Sequence, residues 1–258
     1  MATALAVGMA KDASPGTAIA AYDPNEAAVQ TFSDSITKFG VEFIQCRLNQ
    51  EVIENCDCVF LAIKPQNIEL ALAEVQVSKG TVFVSVIAGT TIDRLAELLG
   101  TTEVIRAMPN TPCLIAKGAI ALSSSTSVAA EKIEYVKSIF SRIGTVVTVA
   151  EKLMDAVTGL SGSGPAYVFT FIEALIEAGV LSGLSRSNAR QLAVQTVIGA
   201  AELVEQTGKG PAELRDQVTS PGGTTIHGLE QLEQFGFRAA VSAAVKAATN
   251  RSIELGKN

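Results

Sequence analysis

The chain has 258 residues, 48% of them apolar, and a formal net charge of −6 at pH 7. That length holds one large domain or two ordinary ones and supplies a sizeable core. Acidic and basic residues are interspersed, tryptophan is absent and aromatics make up 5% of the chain. This excludes a basic stripe that could follow a phosphate backbone and a platform for stacking bases, so no nucleic-acid partner is expected.

The opening residues, MATALAVGMAKD, have no basic n-region and only a short apolar run, so they do not read as a secretory signal. From residue 17 to 149, short apolar runs alternate with segments of helical period: TAIAAY, PNEAAVQTFSDSITKF, CVFLAI, NIELALAEV, TVFVSV and TIDRLAELL. Continuous apolar strands separated by helices are what a parallel sheet buried on both faces requires. Further strands are predicted around residues 103–108 and 118–123, then a helix near 128–141 and a last strand, TVVTV, ending at Val149. The expected fold class is α/β, a doubly wound Rossmann-type parallel sheet over residues 1–150.

After Val149 the strand signals stop. Helices are predicted at 151–160, 165–178, 187–207, 211–218, 225–234 and 238–255, an all-α domain over residues 151–258. Several of them, AVQTVIGAAELV and FRAAVSAAVKAATN among them, lack a polar face and must be enclosed. A bundle of this size cannot enclose them all, which predicts an intertwined homodimer. The longest apolar region, residues 167–181, carries Glu173 and Glu177 and reads as too short and too charged to cross a bilayer. No membrane association is expected, and the location is expected to be cytoplasmic.

The side-chain inventory narrows the chemistry. Cys46, Cys56, Cys58 and Cys113 include one C-x-C but no C-x-x-C and no histidine at ligand spacing, so reduced thiols and no metal are expected. The single histidine, His227, would have to serve alone in any Ser-His-Asp, Cys-His or His-ligated site, and it is expected to pack or hydrogen-bond within its helix. A reaction here leans on positioning and on a borrowed reactive group.

Ligands of such sheets bind at the carboxyl ends of the strands. CVFLAI runs into Lys64-Pro65-Gln66, where the lysine suits a phosphate or amide, or is a solvated loop charge. TVFVSV runs into Ile87-Ala88-Gly89-Thr90-Thr91, open to close backbone approach by a ligand, or a tight turn capped by Thr90. VIRAM runs into Pro109-Asn110-Thr111-Pro112, a stiff loop presenting an amide and a hydroxyl. Asp23, after the first strand, suits a ribose 2′-OH, and suits equally a helix N-cap followed by Pro24. In the helical half, Leu160-Ser161-Gly162-Ser163-Gly164-Pro165 opens one long helix. The stretch VTSPGGTTIHG opens another at Thr224-Thr225, where free N–H groups and hydroxyls suit an anion.

These stretches resemble one family. PAELRDQVTSPGGTTIHGLEQLE from Pro211, VTGLSGSGPAY and RAMPNTP are similar to Δ1-pyrroline-5-carboxylate reductase, and the likeness extends over practically the whole chain. The resemblance implies NADPH- or NADH-dependent reduction of the cyclic imine 1-pyrroline-5-carboxylate to L-proline. It also implies a Rossmann domain and a helical domain interlocked in a homodimer, with decamers assembled from dimers. Carried over by position, Tyr22, Asp23, Pro24, Asn49, Ala62, Ile63, Lys64, Pro65 and Ala88 resemble cofactor contacts, with Asn110 near the nicotinamide. Ser220, Gly222, Gly223, Thr224 and Thr225 resemble the pocket for the substrate carboxylate, Glu151 another substrate position, and Thr225 the hydroxyl that meets the ring nitrogen. A carboxylate at Asp23 favours a free 2′-OH, so NADH is expected to serve at least as well as NADPH.

Family members begin with a strand and a glycine-rich turn leading into a Met-Ala-x-Ala helix, whereas this sequence opens at Met1-Ala2-Thr3-Ala4, already within that helix. The sequence therefore reads as a clipped form of a longer protein, short of roughly ten residues that hold a central strand and the pyrophosphate turn. Two other readings fit the residues: a reductase of a related imine or β-hydroxyacid, and a cofactor-free dimeric binding or scaffold protein.

Overall fold

The computed structural model describes residues 1–11, 13, 16–77 and 80–256. In chain order these form α1 (Ala2–Lys11), β1 (Ala18–Ala21), α2 (Glu26–Thr37), β2 (Glu42–Gln45), α3 (Asn49–Asn55), β3 (Cys58–Leu61), α4 (Ile68–Leu72), β4 (Val82–Ser85), α5 (Ile92–Leu99), β5 (Val104–Met108), β6 (Gly118–Ser124), α6 (Ala130–Ser141) and β7 (Gly144–Thr148). Helices follow: α7 (Met154–Val157), α8 (Gly164–Leu181), α9 (Arg186–Thr207), α10 (Pro211–Gln217), α11 (Thr224–Gln234) and α12 (Phe237–Leu255).

The expected α/β half followed by helices is what the chain folds into. β4 and β5 are buried along their whole length, as continuous apolar strands flanked on both faces must be. Helices α5 and α6 cover the sheet through Leu95, Leu99, Val136 and Phe140.

The strands form two sheets, a parallel pair β1-β2 and a five-stranded sheet ordered β3-β4-β5-β6-β7; among the described residues no ladder joins β1 to β3, in line with the expectation of a sequence short of the central strand. Two features depart from the sequence reading. First, β6 runs antiparallel to β5 while the other pairs are parallel. The reason is connection length: residues 109–117 hold only a short 3-10 turn, and a parallel return needs about a dozen residues or more. Second, the segment expected as one helix at 151–160 is a 3-10 turn (Glu151–Leu153), α7 and a π-helical turn (Thr158–Gly162). Ser163 N donates to Thr158 O at 2.8 Å to close that π turn.

Two compact units result: Met1–Ser163 with Lys246–Asn258, and Gly164–Val245. The second unit is almost coreless. No residue of α8, α10 or α11 is buried, and α9 buries only Ala189 and Ala193.

Candidate functional site

In the first unit, Leu61 of β3 pairs with Ser85 of β4 in a parallel ladder, so residues 62–65 and 86–91 leave the sheet at one edge, its carboxyl end. Lys64 is exposed, and its carbonyl accepts from Asn67 N at 2.9 Å as Pro65 starts a 3-10 turn. Ala88 packs against the cluster of Met108, Ala121 and Met154, and Gly89 adopts φ +77, a conformation that suits only glycine. The cap of α5 is Thr91, not the expected Thr90: its Oγ1 accepts from Arg94 N at 3.2 Å.

After β1, Tyr22 is half-buried, and Asp23 and Pro24 are exposed. Asp23 Oδ1 accepts from Asn25 N at 2.8 Å, and Asn25 in turn caps α2 by accepting from Ala27 N and Ala28 N at 3.1 and 3.3 Å. The cap considered for Asp23 thus belongs to Asn25, which leaves the aspartate at the surface in a tight turn. Asn49 begins α3 and donates its amide to Ala71 O at 2.9 Å, tying α3 to the end of α4. Asn110 is 8% exposed, donates Nδ2 to Ser161 O at 3.0 Å and accepts from Ala119 N at 2.9 Å. Its amide is therefore committed to joining the β5–β6 connection to the π turn, so the loop offers a ligand its backbone and Thr111.

Beneath these loops lies a charged cluster that sequence reasoning missed. Arg106, in the middle of β5, has a side chain 3% exposed, 3.5 Å from Glu151 Oε1 and 4.0 Å from Asp155 Oδ1. Glu151 Oε1 also accepts from Ile92 N at 2.6 Å, at the start of α5. Asp155 accepts from Ser252 Oγ at 2.6 Å. Arg106 Nε and Nη2 are buried without a hydrogen-bond partner, each a liability of about 1–3 kcal/mol. The available signal was an arginine inside the otherwise apolar VIRAM strand, since a buried charge needs partners close by.

In the second unit, Gly223 N donates to Ser220 O at 3.1 Å, closing a tight turn in which Gly222 sits at φ +65. A Cβ on Gly223 would collide with Ser220 Oγ, so the serine hydroxyl lies directly over the residue that precedes α11. No side chain caps α11. Its first N–H groups therefore remain available, flanked by the exposed Ser220 and Thr224 and by the half-buried Thr225. His227 stands on the surface with its side chain 73% exposed and 3.8 Å from Glu230, beyond hydrogen-bond reach, so it neither packs nor hydrogen-bonds within α11 as expected.

The four cysteines are free. Burial raises all four thiols, and Cys58 is pushed up to about 12.

Residues 151–255 match the pyrroline-5-carboxylate reductase dimerisation family, and residues 1–89 match a family described as NADP oxidoreductase, coenzyme F420-dependent. A pyrroline-5-carboxylate reductase of Synechocystis sp. is 47% identical over 81% of this chain and 79% of its own length. The chain belongs to the pyrroline-5-carboxylate reductase family. Among solved structures, the Coxiella burnetii member superimposes with a TM-score of 0.87 at 33% identity, covering 100% of this chain and 95% of its own. The Plasmodium falciparum member, which has NADP bound, gives 0.81 at 30% identity over 99% and 93%. As in the rest of the family, the reaction is the NAD(P)H-dependent reduction of 1-pyrroline-5-carboxylate to proline, by a homo-oligomer acting on a small molecule. The run Glu151–Leu181 contains a window of mean hydropathy 1.4, long and apolar enough by composition to cross a membrane, and the dimerisation family match covers it.

Proposed function

We propose that this chain carries out the family reaction with two sets of residues. A dinucleotide-binding part, residues 1–150, holds NAD(P)H through Tyr22, Asp23, Pro24, Asn49, Ala62, Ile63, Lys64, Pro65 and Ala88, with the backbone of the loop at Asn110 beside the nicotinamide. A helical part, residues 151–258, provides dimerisation and the substrate corner. The described residues fit a dinucleotide: neighbouring parallel strands end in an exposed lysine and a positive-φ glycine, and β1 ends in an exposed carboxylate suited to a ribose hydroxyl. When bound, NAD(P)H supplies the hydride.

The protein's own task is to hold the imine. The observation that carries this reading is the uncapped start of α11 behind the Ser220 to Gly223 turn. Free N–H groups at a helix N-terminus, joined by the hydroxyls of Ser220 and Thr224, suit the substrate carboxylate. Thr225, one residue further into the helix, bonds the ring nitrogen through its hydroxyl and holds it in place, while the proton that the product amine gains comes from solvent. Glu151 contributes to the substrate site as a fixed carboxylate.

A homodimer, as the unit from which decamers are built, is supported by the exposed apolar faces of α8 and α9, which a second chain rather than lipid covers in this reading. A cytoplasmic location is supported by four protonated, unpaired thiols, which suit a reducing compartment.

The experiment is steady-state NAD(P)H oxidation with pyrroline-5-carboxylate. Thr225→Val lowers kcat/KM for the imine by roughly 10²-fold, the range for one lost transition-state hydrogen bond, with cofactor affinity unchanged. Equal activity in the variant rejects the assignment. The same assay compares cofactors: with Asp23 at the ribose position, NADH serves at least as well as NADPH, and a preference for NADPH above about tenfold removes Asp23 from that role.

A further inference from the structure

Arg106 is a buried cation that the proposed mechanism leaves unused. It faces two carboxylates from the segment after β7, Glu151 at 3.5 Å and Asp155 at 4.0 Å. Each carboxylate grips another part of the first unit. Glu151 takes the Ile92 N–H at the head of α5, and Asp155 takes the Ser252 hydroxyl near the end of α12. Gly256, just beyond α12, lies so close to the Gly89 carbonyl that a Cβ there would strike it. The contacts close a ring: the loop at 88–91, Glu151, Arg106, Asp155, the end of α12, and the loop again.

We propose that Arg106 is a positioning residue for the reduction, whose buried charge, spread over two terminal nitrogens, holds Glu151 and Asp155 by ion pairing and, through them, the loop at 88–91. A methionine would fill much the same space without the partnerless Nε and Nη2, so a guanidinium here serves geometry better than stability. Lysine would keep the charge but concentrate it on one nitrogen, in place of the two that face Glu151 and Asp155. The proposal rests on the reading of Glu151 as a substrate residue.

The test uses the full chain bearing Arg106→Lys, Arg106→Met or Glu151→Gln, together with the two double variants. Two quantities are measured: KM and kcat for the imine, and hydrogen exchange of residues 86–95 in the cofactor-free protein. Arg106→Lys raises KM roughly tenfold while kcat changes less than about threefold, and exchange at 86–95 accelerates roughly tenfold. In the Glu151→Gln background the further effect of Arg106→Lys on KM falls below about twofold, because residues acting through one another are not additive. An unchanged KM in Arg106→Lys, or full multiplication of the two effects, overturns the proposal. If Glu151→Gln alone leaves KM unchanged, the substrate reading of Glu151 fails instead, and exchange at 86–95 then decides whether Arg106 fixes the loop. If Arg106→Met does not fold, the lysine variants carry the test alone.

Discussion

Each thiol sits where its charged form is disfavoured. Desolvation is the first cause in all four, and at Cys58 repulsion of the thiolate by the negative charges of Cys56 and Asp57 adds to it. The folded protein therefore holds these protons more tightly than the unfolded chain does. Stability is fully present below an ordinary thiol pKa of 9.0 and is lost as pH climbs from there through about 12 for Cys58. At pH 7.5 a disulfide reagent should label none of the four rapidly and all of them after denaturation; rapid labelling of Cys58 in the native protein would contradict its environment. The sequence showed that these residues make no metal-ligand spacing, but burial is a property of the fold. The same holds at Arg106 and Asn110. Their types were legible, whereas the partners that fix their roles lie up to 51 residues away.

β4 and β5 were legible because burial on both faces leaves no alternation to misread, and β3, buried at alternate residues, because its run is apolar throughout. The pair β2 and α3 was not. EFIQ is four residues long and mostly exposed, and NQEVIEN buries only Ile53, so neither shows a period. The sense of β6 was hidden for another reason, since it depends on the length of a connection rather than on the strand. The start of α5 depends on distant residues too, because Thr91 caps it locally and Glu151 from beyond β7. Thr91→Ala should cost about 1 kcal/mol, the usual value of a lost N-cap, and a thermal melt measures it. A variant as stable as the parent would mean that Glu151 alone satisfies that helix end.

For the molecule as a whole, the second unit shows why one chain is insufficient. Phe169, Leu181 and Phe235 are 63%, 89% and 82% exposed in a unit whose helices bury almost nothing. Apolar surface of that extent calls for a partner. Light scattering at micromolar concentration should give at least twice the 26.8 kDa chain mass, and Phe169→Glu should lower it toward one chain. A parent protein that is monomeric under those conditions would leave these faces without an occupant.

The fit of the Ser220 hydroxyl against Gly223 makes that turn intolerant of any larger residue. A methyl group at 223 would have to push the hydroxyl aside, and with it one of the groups that line the uncapped head of α11. The corner owes its shape to a side chain that is missing, and the gain of a single carbon is enough to alter it.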